Sequence, residues 1–137
     1  MTLIEEIMEY LEEEIADLEI SDNLVMGSLP STPQKCAAIR PTGGFAGDMK
    51  FALDIPTFQV TTRSDKDRRT GYTLAQDIYD VMHNFRHGRF VEDGRWIVEV
   101  SGVQSGPNAI GRDDNNRERY TCNFTVEYKN ENSDLRE

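Results

Sequence analysis

Two stretches of this chain alternate side-chain character residue by residue. Trp96, Val98 and Val100 alternate with Ile97, Glu99 and Ser101, and later Tyr120, Cys122, Phe124, Val126 and Tyr128 alternate with Arg119, Thr121, Asn123, Thr125 and Glu127. A strand turns successive side chains to opposite faces, so the second run predicts an apolar buried face and a polar face open to water or a partner. The two runs predict an antiparallel hairpin. Residues 104–117 lie between them, far more than the two to five residues a hairpin needs for closure, which predicts a long loop, either functional or disordered.

A different period governs two stretches earlier in the chain. Leu3, Ile4, Ile7, Met8, Leu11, Ile15 and Leu18 recur at three- and four-residue steps, predicting an amphipathic helix over 2–18. Thr2 is its expected N-cap, with Glu5 completing a capping box. Leu74, Ala75, Ile78, Tyr79, Met82 and Phe85 mark a second helix over 72–87, closed by Gly88. Between the helices, 23–29 and 35–40 read as short strands separated by Pro30-Ser31-Thr32-Pro33, and 41–48 as a glycine-rich loop. Residues 51–64 read as a strand entered through Pro56, with Phe58 and Val60 on one face, followed by a charged turn over 65–71. A polar tail, 129–137, follows the last strand.

A length of 137 residues and 37% hydrophobic content suit one domain, expected over 1–128. No apolar run is long enough to span a bilayer, and acids directly follow Met1-Thr2-Leu3, so the expectation is a protein that is cytosolic when made. The net charge of −10 is unevenly spread: Glu5, Glu6, Glu9, Glu12, Glu13, Glu14, Asp17, Glu19 and Asp22 all precede the first base, Lys35. That argues against tight duplex binding, which requires a basic footprint. It leaves open an acidic surface past which DNA slides, for which Glu12, Glu13 and Glu14 are the candidate face.

Motifs for chemistry are weak. The 41–48 glycines match neither phosphate-loop nor dinucleotide spacing. His83 and His87 stand one helical turn apart, but no third ligand is evident, and His87 before Gly88 suits the negative end of a helix. Asp113-Asp114-Asn115-Asn116 lacks the alternation and final Glu of a calcium loop, and Asn123-Phe124-Thr125 falls mid-strand, against a glycosylation site. Cys36 and Cys122 read as buried free thiols, with a disulfide the alternative. No nucleophile has a base beside it. No cofactor is expected.

The element order, together with Pro56-Thr57-Phe58-Gln59-Val60-Thr61-Thr62-Arg63, Gln104-Ser105-Gly106-Pro107, Gly111-Arg112-Asp113, Arg117, Tyr120 and Asn123-Phe124, resembles the tail terminator proteins of long-tailed bacteriophages, and within them the minor capsid branch. The resemblance spans about residues 3–128. It implies an α+β fold, with a mixed, mostly antiparallel sheet carrying two main amphipathic helices. It also implies a non-enzymatic virion protein forming a ring, typically of six, at the head–tail junction. Such a ring caps the tail tube, stops its polymerisation and docks the head completion or connector protein, with DNA only passing through the lumen. A closed ring needs two different patches per subunit. The exposed candidates for the subunit, tube or head contacts are Arg63, Lys66, Arg68 and Arg69 in the charged turn, and Gln104, Arg112, Asp113 and Arg117 in the long loop. Of these, Arg112, Asp113 and Arg117 are expected across the subunit boundary. A head-closure or connector ring is the nearest alternative. A small metal-dependent enzyme would require His83, His87 or Asp113-Asp114 to converge on an ion, and a monomeric regulator would form no ring.

Overall fold

The computed structural model describes residues 1–48 and 53–129. The first helix, α1 (Leu3–Glu14), starts on the predicted capping box: Thr2 Oγ1 accepts the Glu5 N–H at 3.3 Å, and Glu5 Oε1 accepts the Thr2 N–H at 3.0 Å. It stops short of residue 18. Ile15 is already extended, at φ −120° and ψ 106°, although its N–H still reaches Leu11 O. Three successive acids, Glu12 to Glu14, meet the helix's negative end with no base in the last turn, which disfavours further helix. Ile15 and Leu18 are nevertheless buried, so the apolar pattern predicts burial beyond the helix it was read to mark.

The strands are β1 (Leu24–Met26), β2 (Cys36–Asp48), β3 (Leu53–Arg63), β4 (Arg86–Gly88), β5 (Ile97–Gly102), β6 (Asn108–Arg112) and β7 (Glu118–Lys129), with α2 (Thr70–Met82) between β3 and β4. They form one sheet in the order β1-β2-β3-β7-β5-β4, with β6 also paired to β7. Only β1 and β2 are parallel; the other pairs are antiparallel. This is the expected α+β architecture. The start of the predicted strand at Phe51 and the tail beyond Lys129 fall outside the described residues.

Other elements differ from the sequence expectation as well. The glycine-rich segment 41–48 is strand, not loop: β2 continues along β3 to Asp48, with register shifts after Pro41 and Phe45. Gly44, at φ +122°, explains how, since a Cβ there would lie 2.5 Å from Ile55 O. The glycine therefore serves a bulge and a close backbone approach. Pro56 lies inside β3 rather than at its start. The β3–β7 ladder passes from Asp54↔Tyr128 to Thr57↔Thr125, so the missing proline N–H falls in a gap.

The second helix ends at Met82, and Gly88 belongs to β4 instead of capping a helix. Asn84 and His87 take positive φ, 66° and 51°, turning the chain back toward β5. His87 therefore does not sit at a helix end. Lastly, the long loop between the hairpin strands contains β6, whose five residues are all exposed.

Both helices pack on one face of the sheet, α2 over β3, β7 and β5, and α1 over β1 and β2. Phe58 and Phe124 stack there with ring centroids 5.0 Å apart, beside buried Val60, Cys122 and Val126. The predicted alternation in β7 holds over 122–126, while Thr121 on the polar face is also buried. In β5 it does not, because a register shift after Ile97 places both Ile97 and Val100 in the core. The opposite, outer face carries Arg40, Gln59, Thr61, Arg119 and Asn123, adjacent in the register of β2, β3 and β7.

Candidate assembly surface

The charged turn before α2 is built from its own side chains. Ser64 Oγ donates to Arg68 O at 2.7 Å and accepts the Gly71 N–H at 2.9 Å, while Thr62 Oγ1 donates to Gly71 O. Gly71 must be glycine, because a Cβ would lie 2.6 Å from Ser64 Oγ. Thr70 Oγ1 donates to Asp65 Oδ1, and Arg69 holds Asp67 through Nε and Nη2 at 3.1 and 3.0 Å. These Arg69 hydrogen bonds hold the Asp67 carboxyl below its usual range. Lys66, Arg68 and Arg69 are all exposed on a turn fixed from within.

Arg63 is not part of that turn. It ends β3, is 4% exposed, and its guanidinium donates to the carbonyls of Gln34, Pro33 and Ser31 at 2.9, 2.9 and 3.3 Å. It clamps residues 31–34 to the outer face of the sheet, which replaces the expected exposed contact with an internal one.

The β6–β7 hairpin is similarly self-braced. Asp113 Oδ1 accepts the Asn115 and Arg117 N–H groups, and Asp113 Oδ2 accepts Arg117 Nε at 2.8 Å. Desolvation alone would raise the Asp113 carboxyl, but the hydrogen bonds and charge of Arg117 hold it lower than usual. Arg112 Nε meets Glu118 at 2.6 Å and its Nη1 donates to Asn116, while Arg117 Nη1 reaches Ser31 O at 3.4 Å. At the hairpin's other end, Gln104 Oε1 accepts from Asn108 and Asn123. Glu12, Glu13 and Glu14 are all exposed, and Glu12 also accepts the Ile20 N–H at 2.7 Å, tying off the turn after α1.

The candidate chemistry does not assemble. His83 Nδ1 accepts the Gly102 N–H at 2.9 Å and the ring stacks on Tyr79, while His87 lies on β4. Among the described residues no three His, Cys, Asp or Glu side chains are grouped to hold a metal. Cys36 and Cys122 are buried free thiols, and burial pushes Cys122 up to about 12. No described helix is long and apolar enough to cross a membrane.

A match over residues 3–130 to the family model described as bacteriophage tail terminator protein decides the assignment. The chain belongs to that family. A chain of a solved structure, the virion of a native gene transfer agent particle, shares the fold of this terminator at a TM-score of 0.55 and 15% identity, over 76% of this chain and 77% of that one. Comparison with curated proteins finds no match. The terminator is thus a phage structural tail protein.

Two features of the structure escape sequence reading. Glu6, one acid among many, is 2% exposed and pairs with Arg95 of the segment before β5, also accepting the Arg95 N–H at 2.7 Å. Arg40 and Arg119 share a groove with Ile110 on the outer sheet face. Their juxtaposition depends on the β2–β3–β7 register, which residue spacing does not reveal.

Proposed function

We propose that this terminator forms a ring, with six subunits expected, that seats on the last layer of the tail tube, ends its growth and presents the docking face for the head completion or connector protein. Membership of the terminator family over residues 3–130 carries this reading. The exposed turn over 65–70 and the β6–β7 hairpin support it, because both are shaped by internal bonds before any partner arrives. Preorganised loops lose less entropy on binding.

Lys66 and Arg68 form no salt bridge among the described residues and are the cations we assign to the tube or head contact. Arg112, Asp113 and Arg117 act as braces that hold the hairpin in a docking shape. Gln104 anchors its base, and Arg69 stays with Asp67. A net charge of −10 suits a channel wall that DNA passes without adhering.

The test is tube growth in vitro. Purified tube protein extended in the presence of the terminator should stop lengthening, with light scattering giving the terminator a mass near six chains. Tubes that continue to grow at saturating terminator would overturn the reading.

A further inference from the structure

The outer face of β2, β3 and β7 holds an open groove of about 530 Å³ whose charge is unbalanced. Arg40 donates through Nε to the neutral amide of Gln59, and among the described residues Arg119 Nη2 reaches only the carbonyl of Arg112, at 3.4 Å. Arg119 Nε is buried without an acceptor among the described residues. Neither arginine forms a salt bridge there, and the groove's one carboxylate, Asp113, is committed to Arg117. Arg63 adds a third guanidinium to the wall. Ile110, 43% exposed, supplies an apolar edge. Within a chain of net charge −10, this is a local concentration of cation awaiting an anion.

The matching anion lies on the same chain's other side. On α1, Glu5, Glu9, Glu12 and Glu13 recur at three- and four-residue steps along the exposed face, opposite buried Ile4, Ile7 and Leu11. Like charges at this spacing repel along a helix, and no base in the last turn relieves them. Glu9 and Glu13 form no salt bridge among the described residues.

We propose that the two surfaces meet between copies: Glu9 and Glu13 of one subunit seat against Arg40 and Arg119 of the next. This rests on the ring reading above and names its interface. Because α1 covers one face of the sheet and the groove opens on the other, each copy offers a different patch on each side. That is the head-to-tail contact a ring requires. Partial desolvation at such a contact strengthens pairs that are weak when exposed. Duplex DNA is the poorer occupant, since the chain's overall negative charge opposes the counterion release that drives its binding. The assignment places the acidic stripe of α1 against a neighbouring subunit rather than along the DNA passage.

Charge reversal tests it, read by sedimentation at low salt over a concentration series. R40E/R119E and E9K/E13K should each associate about tenfold or more weakly than the parent chain. Mixed in equal amounts they should recover the parent mass, because every contact in an alternating ring is again between opposite charges. R40E alone, altering an exposed side chain, should show a partial loss and guards against misfolding of the double variant. If both double variants keep the parent mass, the interface is wrong while the ring reading stands. If the parent chain itself sediments as a monomer throughout, both fall. If reversing the arginines abolishes retention on duplex DNA and leaves the mass unchanged, the groove is a nucleic-acid surface and the proposal is overturned.

Discussion

The two faces of one sheet, made by the same strands, are opposite in character. Toward the helices, β3 and β7 present Phe58, Val60, Cys122, Phe124 and Val126, all at most 2% exposed. Away from them, the alternate residues form a lateral chain of polar contacts: Arg40 Nε to Gln59 at 3.0 Å, and Gln59 Nε2 to Asn123 Oδ1 at 3.1 Å. Burial of apolar area on the first face provides the stability, at roughly 25 cal/mol per Å². The second face is free to carry side chains chosen for a partner. The period-two geometry of strands lets fold and assembly be specified by interleaved residues with little conflict.

The sharpest way to break this comparison is to truncate adjacent residues on opposite faces. Phe124→Ala should lower unfolding stability by about 4 kcal/mol, from lost burial and the cavity left against Phe58. Asn123→Ala, one residue away, should change it by less than about 1 kcal/mol. Urea denaturation of both variants gives the contrast directly, and similar losses would show that the outer face is also core.

Next in size is the polar exception on the helix side. Glu6→Ala should cost about 3 kcal/mol, because it leaves Arg95 without its buried carboxylate. Replacing both residues together with apolar side chains of similar volume should recover most of that loss in the same assay.

The capping box, the buried positions of both helices and the apolar face of β7 were legible because each follows a local rule acting within a few residues. What could not be read depends on distant partners. Glu6 looks like its solvated neighbours until Arg95, 89 positions away, is brought beside it. Arg63 belongs to a basic run in sequence, yet its role comes from carbonyls about 30 residues earlier. The β5 alternation failed at a bulge, where one register shift moved Val100 to the same face as Ile97. Asn108-Ala109-Ile110-Gly111-Arg112 has no buried face, so no apolar period announced β6. Of the candidate surface residues, the exposed turn was found from its charge. The Arg40–Arg119 groove was not, since its members lie on separate strands.

The smallest expected effect concerns acid. The Asp113 carboxyl lies below its ordinary value in the folded chain, so its contribution is fully present above pH about 4, the unfolded value, and fades as the pH falls toward the lower folded one. Hydrogen exchange at the Asn115 and Arg117 amides should therefore report the β6–β7 turn loosening in acid while β7's core amides stay protected, after correction for the pH dependence of intrinsic exchange. Asp113→Asn should remove that acid dependence.

The irregular β6 strand has a consequence for solubility. Among the described residues no strand pairs with its outer edge, and a flat edge of that kind would recruit other chains indiscriminately into fibres. Here the register shift between Ala109 and Gly111, with Gly111 at φ +93°, kinks the edge, and Arg112 adds charge beside it. Such a kink spoils the main-chain template for a stray strand. A chain carrying this edge therefore resists indiscriminate strand addition and stays soluble at concentrations where a flat edge would aggregate.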